Sequence, residues 1–179
     1  AVLARRKGAA AILLDVQGPR IRVGDLAEPV PLAVGQEIVF APESVARVGE
    51  IPTTYDDLAT DVKIGSWILL DDGLLAVETT AIEGPRVRGV VRYGGLLKSH
   101  KGMNLPGIQV SAPSLTEKDR EDIVMAGRLG VDYVALSFVR RGEDMEELRK
   151  LLPRSIKTIA KIEKDTALQN LEAIIDASD

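Results

Sequence analysis

Two residues near the end of the chain, Lys161 and Glu163, carry a cation and a hard-oxygen ligand two positions apart. They close the run Ile156-Lys-Thr-Ile-Ala-Lys-Ile-Glu163, which is rich in β-branched residues and predicts a strand over 156–163. Alternate residues of a strand share a face, so the ammonium and the carboxylate are expected to project together. A cation beside a metal-binding carboxylate at the C-terminal end of a strand is the kind of constellation that an α/β barrel uses for chemistry.

The elements that must position this pair fall into three stretches. In the first, Ala1–Lys7 predicts the tail of a helix, Gly8 its stop, and Ala9–Leu14 a strand without polar alternation, as in a parallel sheet buried on both faces. Gly18-Pro19 ends it. In the second, short β-prone runs (36–40, 67–70, 74–79 and 87–93) are separated by turn clusters such as Asp71-Asp72-Gly73 and Glu83-Gly84-Pro85. That spacing predicts a small antiparallel sandwich or barrel, and Pro29, Pro31, Pro42 and Pro52 exclude long helices from it. In the third, Thr116-Glu-Lys-Asp119 has the form of a capping box opening a helix to Leu129, with Gly130 as its stop. A buried strand over 130–138 follows, then a helix over 143–152 closed by Pro153. After the strand that carries Lys161, a final helix over 165–176 is expected to put Leu168, Leu171, Ile174 and Ile175 on one face. Strand and helix in alternation argue for parallel α/β, so the β-rich middle interrupts an α/β domain.

Composition narrows the function classes. The 179 residues are 45% hydrophobic and 28% charged, which suits a globular core rather than a disordered chain. A net charge of −4 and 3% aromatic residues argue against a nucleic-acid surface. There is no cysteine, hence no disulfide and no thiolate metal site, in keeping with a reducing cytoplasm. Arg5-Arg6-Lys7 before a short apolar run imitates a signal peptide, but Asp15 interrupts it and no cleavage site follows. No apolar run reaches the roughly 20 residues that span a bilayer.

Several motifs in order give the chain a family likeness. Leu14-Asp-Val-Gln-Gly-Pro-Arg-Ile-Arg22 is similar to the Leu-Asp-Thr-Lys-Gly-Pro-Glu-Ile-Arg of pyruvate kinases, and Leu70-Asp-Asp-Gly-Leu74 matches a loop of their inserted domain. Lys98-Ser-His-Lys-Gly-Met-Asn-Leu-Pro-Gly107 is close to the signature that leads back out of that domain. Leu115–Asp119, Ser137-Phe-Val-Arg140, Lys161-Ile-Glu163 and Ala177-Ser-Asp179 follow at similar spacing. The resemblance implies a partial (β/α)8 TIM barrel, residues 1–19 and 109–179 with the third to fifth strands, interrupted by a small all-β barrel (lid) domain over 20–108. It implies phosphoryl transfer from phosphoenolpyruvate to ADP, giving pyruvate and ATP in glycolysis, and a homotetramer for the intact enzyme.

The resemblance also assigns roles. Lys161 matches the catalytic lysine at the transferring phosphoryl group, and Glu163 a carboxylate on Mg²⁺ or Mn²⁺. Asp15 and the Val16 carbonyl match a monovalent-cation position. Arg20 stands where family members with glutamate tend to require K⁺ and those with lysine tend not to; a fixed guanidinium there is expected to replace the ion. Arg22, Lys101 and Asp72 match groups near the nucleotide phosphates, and Ser137 and Phe138 either line the pocket or pack the barrel. His100, the lone histidine, is expected at the surface. The second metal carboxylate is implied in a segment following Asp179, so the chain by itself is expected to be inactive. Two alternatives stand beside this: a non-catalytic fragment or binding module, and another metal-dependent barrel enzyme of phosphoenolpyruvate or pyruvate.

Overall fold

The computed structural model describes residues 10–108 and 110–179. The helix expected over Ala1–Lys7, its Gly8 stop and Ala9 lie outside the described residues. What is described divides into two compact units, one within Ala1–Pro19 and Pro113–Asp179, the other Arg20–Ala112. In chain order, β1 (Leu13–Val16) belongs to the first unit. The second unit holds β2 (Val30–Leu32), β3 (Glu37–Pro42), β4 (Ile51–Thr53), the one-turn helix α1 (Leu58–Asp61), β5 (Trp67–Leu70), β6 (Leu75–Glu83), β7 (Arg86–Tyr93), β8 (Gly95–Leu97) and β9 (Met103–Asn104). The first unit resumes with α2 (Glu117–Leu129), β10 (Tyr133–Leu136), α3 (Gly142–Leu151), β11 (Lys157–Ala160), α4 (Asp165–Gln169) and α5 (Leu171–Asp176).

In the first unit three parallel strands lie in the order β1-β10-β11. Their register aligns Asp15 with Ala135 and Ile159, and Val16 with Leu136 and Ala160. Side chains of one pleat, among them Val16, Val134, Leu136 and Thr158, are buried against Ile123, Met145, Leu148 and Ile174 from the helices. On the other pleat Leu13 is 48% exposed, Tyr133 36% and Ile159 36%, while Ala135 on the central strand is 2% exposed. The expected strand Ala9–Leu14, buried on both faces, is therefore corrected to Leu13–Val16 with one covered face. Helices of the described residues pack on one side of the sheet only, and a parallel sheet is buried twice only when both faces are covered.

The helices follow the capping chemistry. Thr116 Oγ1 accepts the Asp119 N–H at 3.1 Å while Asp119 Oδ2 accepts the Thr116 N–H at 2.9 Å, so both orphan donors are satisfied. A cap of this kind contributes about 1 kcal/mol. Gly130 ends α2 in the left-handed region, φ 65°, with its N–H on the Ala126 carbonyl. The expected final helix over 165–176 is instead two, because Asn170 (φ −118°, ψ 18°) leaves helical geometry. Its Nδ2 donates to the Arg140 carbonyl at 3.0 Å, which holds the break in place. The apolar stripe splits accordingly. Ile174 is 1% exposed, but Leu168 and Ile175 are 63% and 62% exposed.

In the second unit six strands run in the order β4-β3-β7-β6-β5-β9. The segment before β2 closes this sheet: Arg22 bridges Gly102 on one edge and Val23 bridges Thr53 on the other. The Val23 N–H reaches the Lys101 carbonyl at 2.9 Å, and the Gly24 N–H reaches the Pro52 carbonyl at 2.8 Å. Closure removes both bare edges and leaves a core around Phe40, Ile68, Leu70, Val77 and Val91, all at 0% exposure. Pairing is antiparallel except for β3 with β4, which is parallel, a departure from the all-antiparallel expectation. The strands that contain Pro31 and Pro52 escape a sequence pattern because proline removes a donor. Here Pro52 serves through its carbonyl. The Asp71-Asp72 turn has φ of 51° and 55° at its two central residues, and the Gly73 N–H returns to the Leu70 carbonyl at 3.1 Å.

Asp179 locks the return of α5 onto β11. Its Oδ2 accepts the Thr158 N–H and hydroxyl and an Arg149 N–H, each at 3.0 Å, and its Oδ1 accepts from Lys157 Nζ at 3.0 Å. Lys157 and the Thr158 N–H hold the Asp179 carboxyl at a pKa of about 2. A lowered folded-state pKa gives stability that is present above the ordinary carboxyl value and lost as pH falls toward 2. Asp179→Asn is expected to lower unfolding stability at pH 7 by about 1 kcal/mol after allowance for solvent screening. Urea titrations from pH 7 down to pH 2 check this: the gap between the two proteins narrows as the native carboxyl protonates.

Candidate active site

The first unit gathers its chemistry at the C-terminal ends of its strands. β1 delivers Asp15, β10 is followed by Ser137 and Phe138, and β11 by Lys161 and Glu163. β11 ends at Ala160, so the expectation that a strand face carries Lys161 and Glu163 together is corrected. Both lie in the loop beyond it. Backbone hydrogen bonds carry the strand register past the last paired residues: the Ser137 N–H donates to the Val16 carbonyl at 3.0 Å and the Lys161 N–H to the Leu136 carbonyl at 2.9 Å.

Lys161 is the centre of the cluster. Its Nζ donates to Asp15 Oδ2 at 2.9 Å and to Ser137 Oγ at 2.9 Å, and lies 3.7 Å from Glu163 Oε1. Ser137 Oγ in turn donates to Asp15 Oδ1 at 3.1 Å. The hydrogen bond to Asp15 raises the Lys161 pKa, with Glu163 adding to it against partial burial. The ammonium is therefore charged throughout the neutral range. What it contributes to stability is present below the ordinary lysine value and lost as pH rises through the raised one. Asp15 is its principal partner, ahead of Glu163.

Phe138 has φ 55°, the left-handed region, where a bulky side chain costs about 1–3 kcal/mol unless its surroundings hold it. The turn aims the Phe138 N–H at Glu163 Oε2, 3.0 Å away. Lys164 Nζ lies over the ring, 5.6 Å from its centroid. Burial, then Arg140, lowers the Lys164 pKa. Behind this turn Asp144 is 2% exposed and accepts the Arg140 N–H at 2.9 Å, the Arg141 N–H at 3.3 Å and the Ser114 hydroxyl. Gly18, with φ 63°, passes so close that a Cβ would meet the Ser137 carbonyl at 3.0 Å. Only glycine combines that φ with that approach.

In the second unit Arg22 and Lys101 lie on the closing seam. Arg22 Nη1 donates to the His100 carbonyl at 2.9 Å and Lys101 Nζ pairs with Asp71 Oδ1 at 2.8 Å. Asp72, one residue on, is exposed, as is Arg20 at the head of this unit. His100 is at the surface with φ 62° and its Nε2 is 3.1 Å from Asp25. The fold thus brings Asp15, Ser137, Phe138, Lys161 and Glu163 into one cluster. Sequence inspection missed Asp71, Asp144 and Lys164. Asp144 was within reach, being the acidic N3 residue of α3.

The donor set suits a hard divalent cation in part. Glu163 offers carboxylate oxygens, while among the described residues no three His, Cys, Asp or Glu side chains converge. One carboxylate with water and phosphate oxygens completing the shell is an arrangement that Mg²⁺ accepts. At the position expected for a monovalent cation, Asp15 carries the Lys161 ammonium and the Val16 carbonyl the Ser137 N–H, so each is already engaged.

The chain as a whole is similar to known proteins. The family model described as the pyruvate kinase barrel domain matches residues 1–179. A pyruvate kinase of Geobacillus stearothermophilus is 41% identical over 98% of this chain and 32% of its own length. One from Bacillus licheniformis is 42% identical over 94% of this chain and 30% of its own. The crystal structure of a pyruvate kinase from Cryptosporidium parvum superposes with a TM-score of 0.86 at 34% identity, covering 94% of this chain and 37% of that one. The chain spans about a third of the length of these relatives. With residues 1–179 all matched by that family model, the chain belongs to the pyruvate kinase family.

Proposed function

We propose that this chain carries the phosphoryl-transfer edge of a pyruvate kinase, whose reaction moves a phosphoryl group from phosphoenolpyruvate to ADP and leaves pyruvate and ATP. The observation that carries the proposal is the charged Lys161, held by Asp15 and Ser137 within 3.7 Å of Glu163 at the strand ends. Phosphoryl transfer asks a protein chiefly for fixed positive charge and alignment. Lys161 supplies a fixed cation, and Asp15 and Ser137 orient it. Glu163 is the residue of this chain that holds Mg²⁺ or Mn²⁺, which when bound neutralises charge on the phosphoryl and enolate oxygens. Ser137 and Phe138 line the pocket. Arg22, Lys101 and Asp72 serve the nucleotide phosphates from the all-β unit. The intact enzyme is a cytoplasmic homotetramer.

Arg20 takes over from the monovalent cation. A guanidinium keeps its charge at every working pH, and Asp15, the carboxylate that would hold the ion, already binds an ammonium. A narrower reading is that the 179-residue chain alone is not catalytic, in keeping with the lack, among its described residues, of three converging His, Cys, Asp or Glu side chains.

Three measurements check these statements. Incubated with phosphoenolpyruvate, ADP and Mg²⁺, the 179-residue chain is expected to form pyruvate at background; turnover at the rates of its relatives overturns the narrower reading. In the protein at the relatives' full length, Lys161→Met is expected to lower kcat about 10³-fold, the scale of losing one group that stabilises transition-state charge. The KM for phosphoenolpyruvate should move far less. A K⁺ titration of the same enzyme should be flat against an inert-cation control, and Arg20→Glu should install a K⁺ requirement. A strong rise with K⁺ in the native protein sinks the role given to Arg20.

A further inference from the structure

The loop after β11 grips two consecutive residues at the end of β10 by three contacts. Lys161 Nζ donates to Ser137 Oγ at 2.9 Å, Glu163 Oε2 accepts the Phe138 N–H at 3.0 Å, and Lys164 Nζ covers the Phe138 ring at 5.6 Å. The first two belong to the candidate active site; the third has no part in it so far. Lys164 is extended, φ −131° and ψ 148°, so its side chain and that of Glu163 leave the chain on opposite sides. One takes hold of Phe138 by its backbone and the other by its ring. On either side the chain is pinned already, by Ser137 to Lys161 and by the Arg140 N–H to the buried Asp144 at 2.9 Å. Between those pins the ring is a further hold on the left-handed Phe138.

We infer that Lys164 is a positioning residue for Glu163: its ammonium, seated on the Phe138 ring, keeps the Phe138 N–H on Oε2 and so leaves Oε1 as the oxygen presented to a divalent cation. The inference rests on the reading of Glu163 as a metal carboxylate. A cation over an aromatic face is held by the ring quadrupole, more strongly when drawn partly out of water. Arginine keeps that attraction and glutamine of similar length does not.

The test uses the 179-residue chain, amide hydrogen exchange, and Mn²⁺ as the metal probe, read by paramagnetic broadening of backbone resonances. Lys164→Gln is expected to speed exchange of the Phe138 N–H about tenfold and to weaken Mn²⁺ binding about three- to tenfold, the range of a partly desolvated cation–ring contact. Exchange in β10 should be unmoved, and Lys164→Arg should restore both values. Phe138→Leu keeps the N–H and removes the ring, so it should weaken Mn²⁺ to the same extent. Combined with Lys164→Gln it should add nothing. Native Phe138 exchange and native Mn²⁺ affinity in Lys164→Gln overturn the inference, as does full additivity of the two substitutions. Glu163→Gln separates this from the reading beneath it. If that substitution abolishes Mn²⁺ binding while Lys164→Gln changes nothing, the reading stands and the inference fails. If Glu163→Gln leaves Mn²⁺ binding intact, the reading fails.

Discussion

The ammonium of Lys161 meets the carboxylate of Asp15 across 146 residues of chain and across an intervening strand. β1 and β11 are not neighbours; β10 lies between them, and Ser137 bridges the gap by accepting from one and donating to the other. Such a relay works only at one register. A slip of one residue would turn Asp15 to the helix side of the sheet and bring Leu14 or Val16 to the site. The pair is partly exposed, so its Coulomb energy is modest, and its value is geometric rather than stabilising. Everything else at the strand ends is arranged around that fixed charge.

Two buried or strained features keep the surroundings of the charge rigid. Asp144 takes backbone donors from residues 140 and 141 together with the Ser114 hydroxyl, which leaves the chain after Phe138 little room to move. Phe138 itself is held in a conformation that a bulky residue avoids. Strain of this sort persists where the surrounding contacts over-determine it. Gly18, passing against the Ser137 carbonyl, completes the packing from the β1 side.

The all-β unit solves a different problem. Six strands with free edges would invite pairing with other chains; the short segment 22–23 closes them by one bridge to each side. The same segment and its partner 100–102 carry Arg22 and Lys101, so the seam that closes the sheet also places two cations. Closure and charge are thus supplied by the same backbone.

The chain's residues determined a good deal by themselves. The capping box at Thr116, the Gly130 stop and the Asp71-Asp72 turn are local hydrogen-bonding or φ preferences, and they hold wherever those residues stand. The interruption of an α/β pattern by short β-prone runs was legible because periodicity changes with element type. So was the family, through motifs that keep their order. Tertiary structure decided the rest. Asp15 rather than Glu163 is the main partner of Lys161, because register across three strands sets that distance and no local pattern records register. The final helix breaks because Asn170 finds the Arg140 carbonyl, a partner thirty residues away. The strand through Pro52 forms because closure uses a carbonyl where a local rule looks for an N–H. Which face of β1 is covered depends on where the helices pack, and a run of apolar residues fixes only that cover is needed.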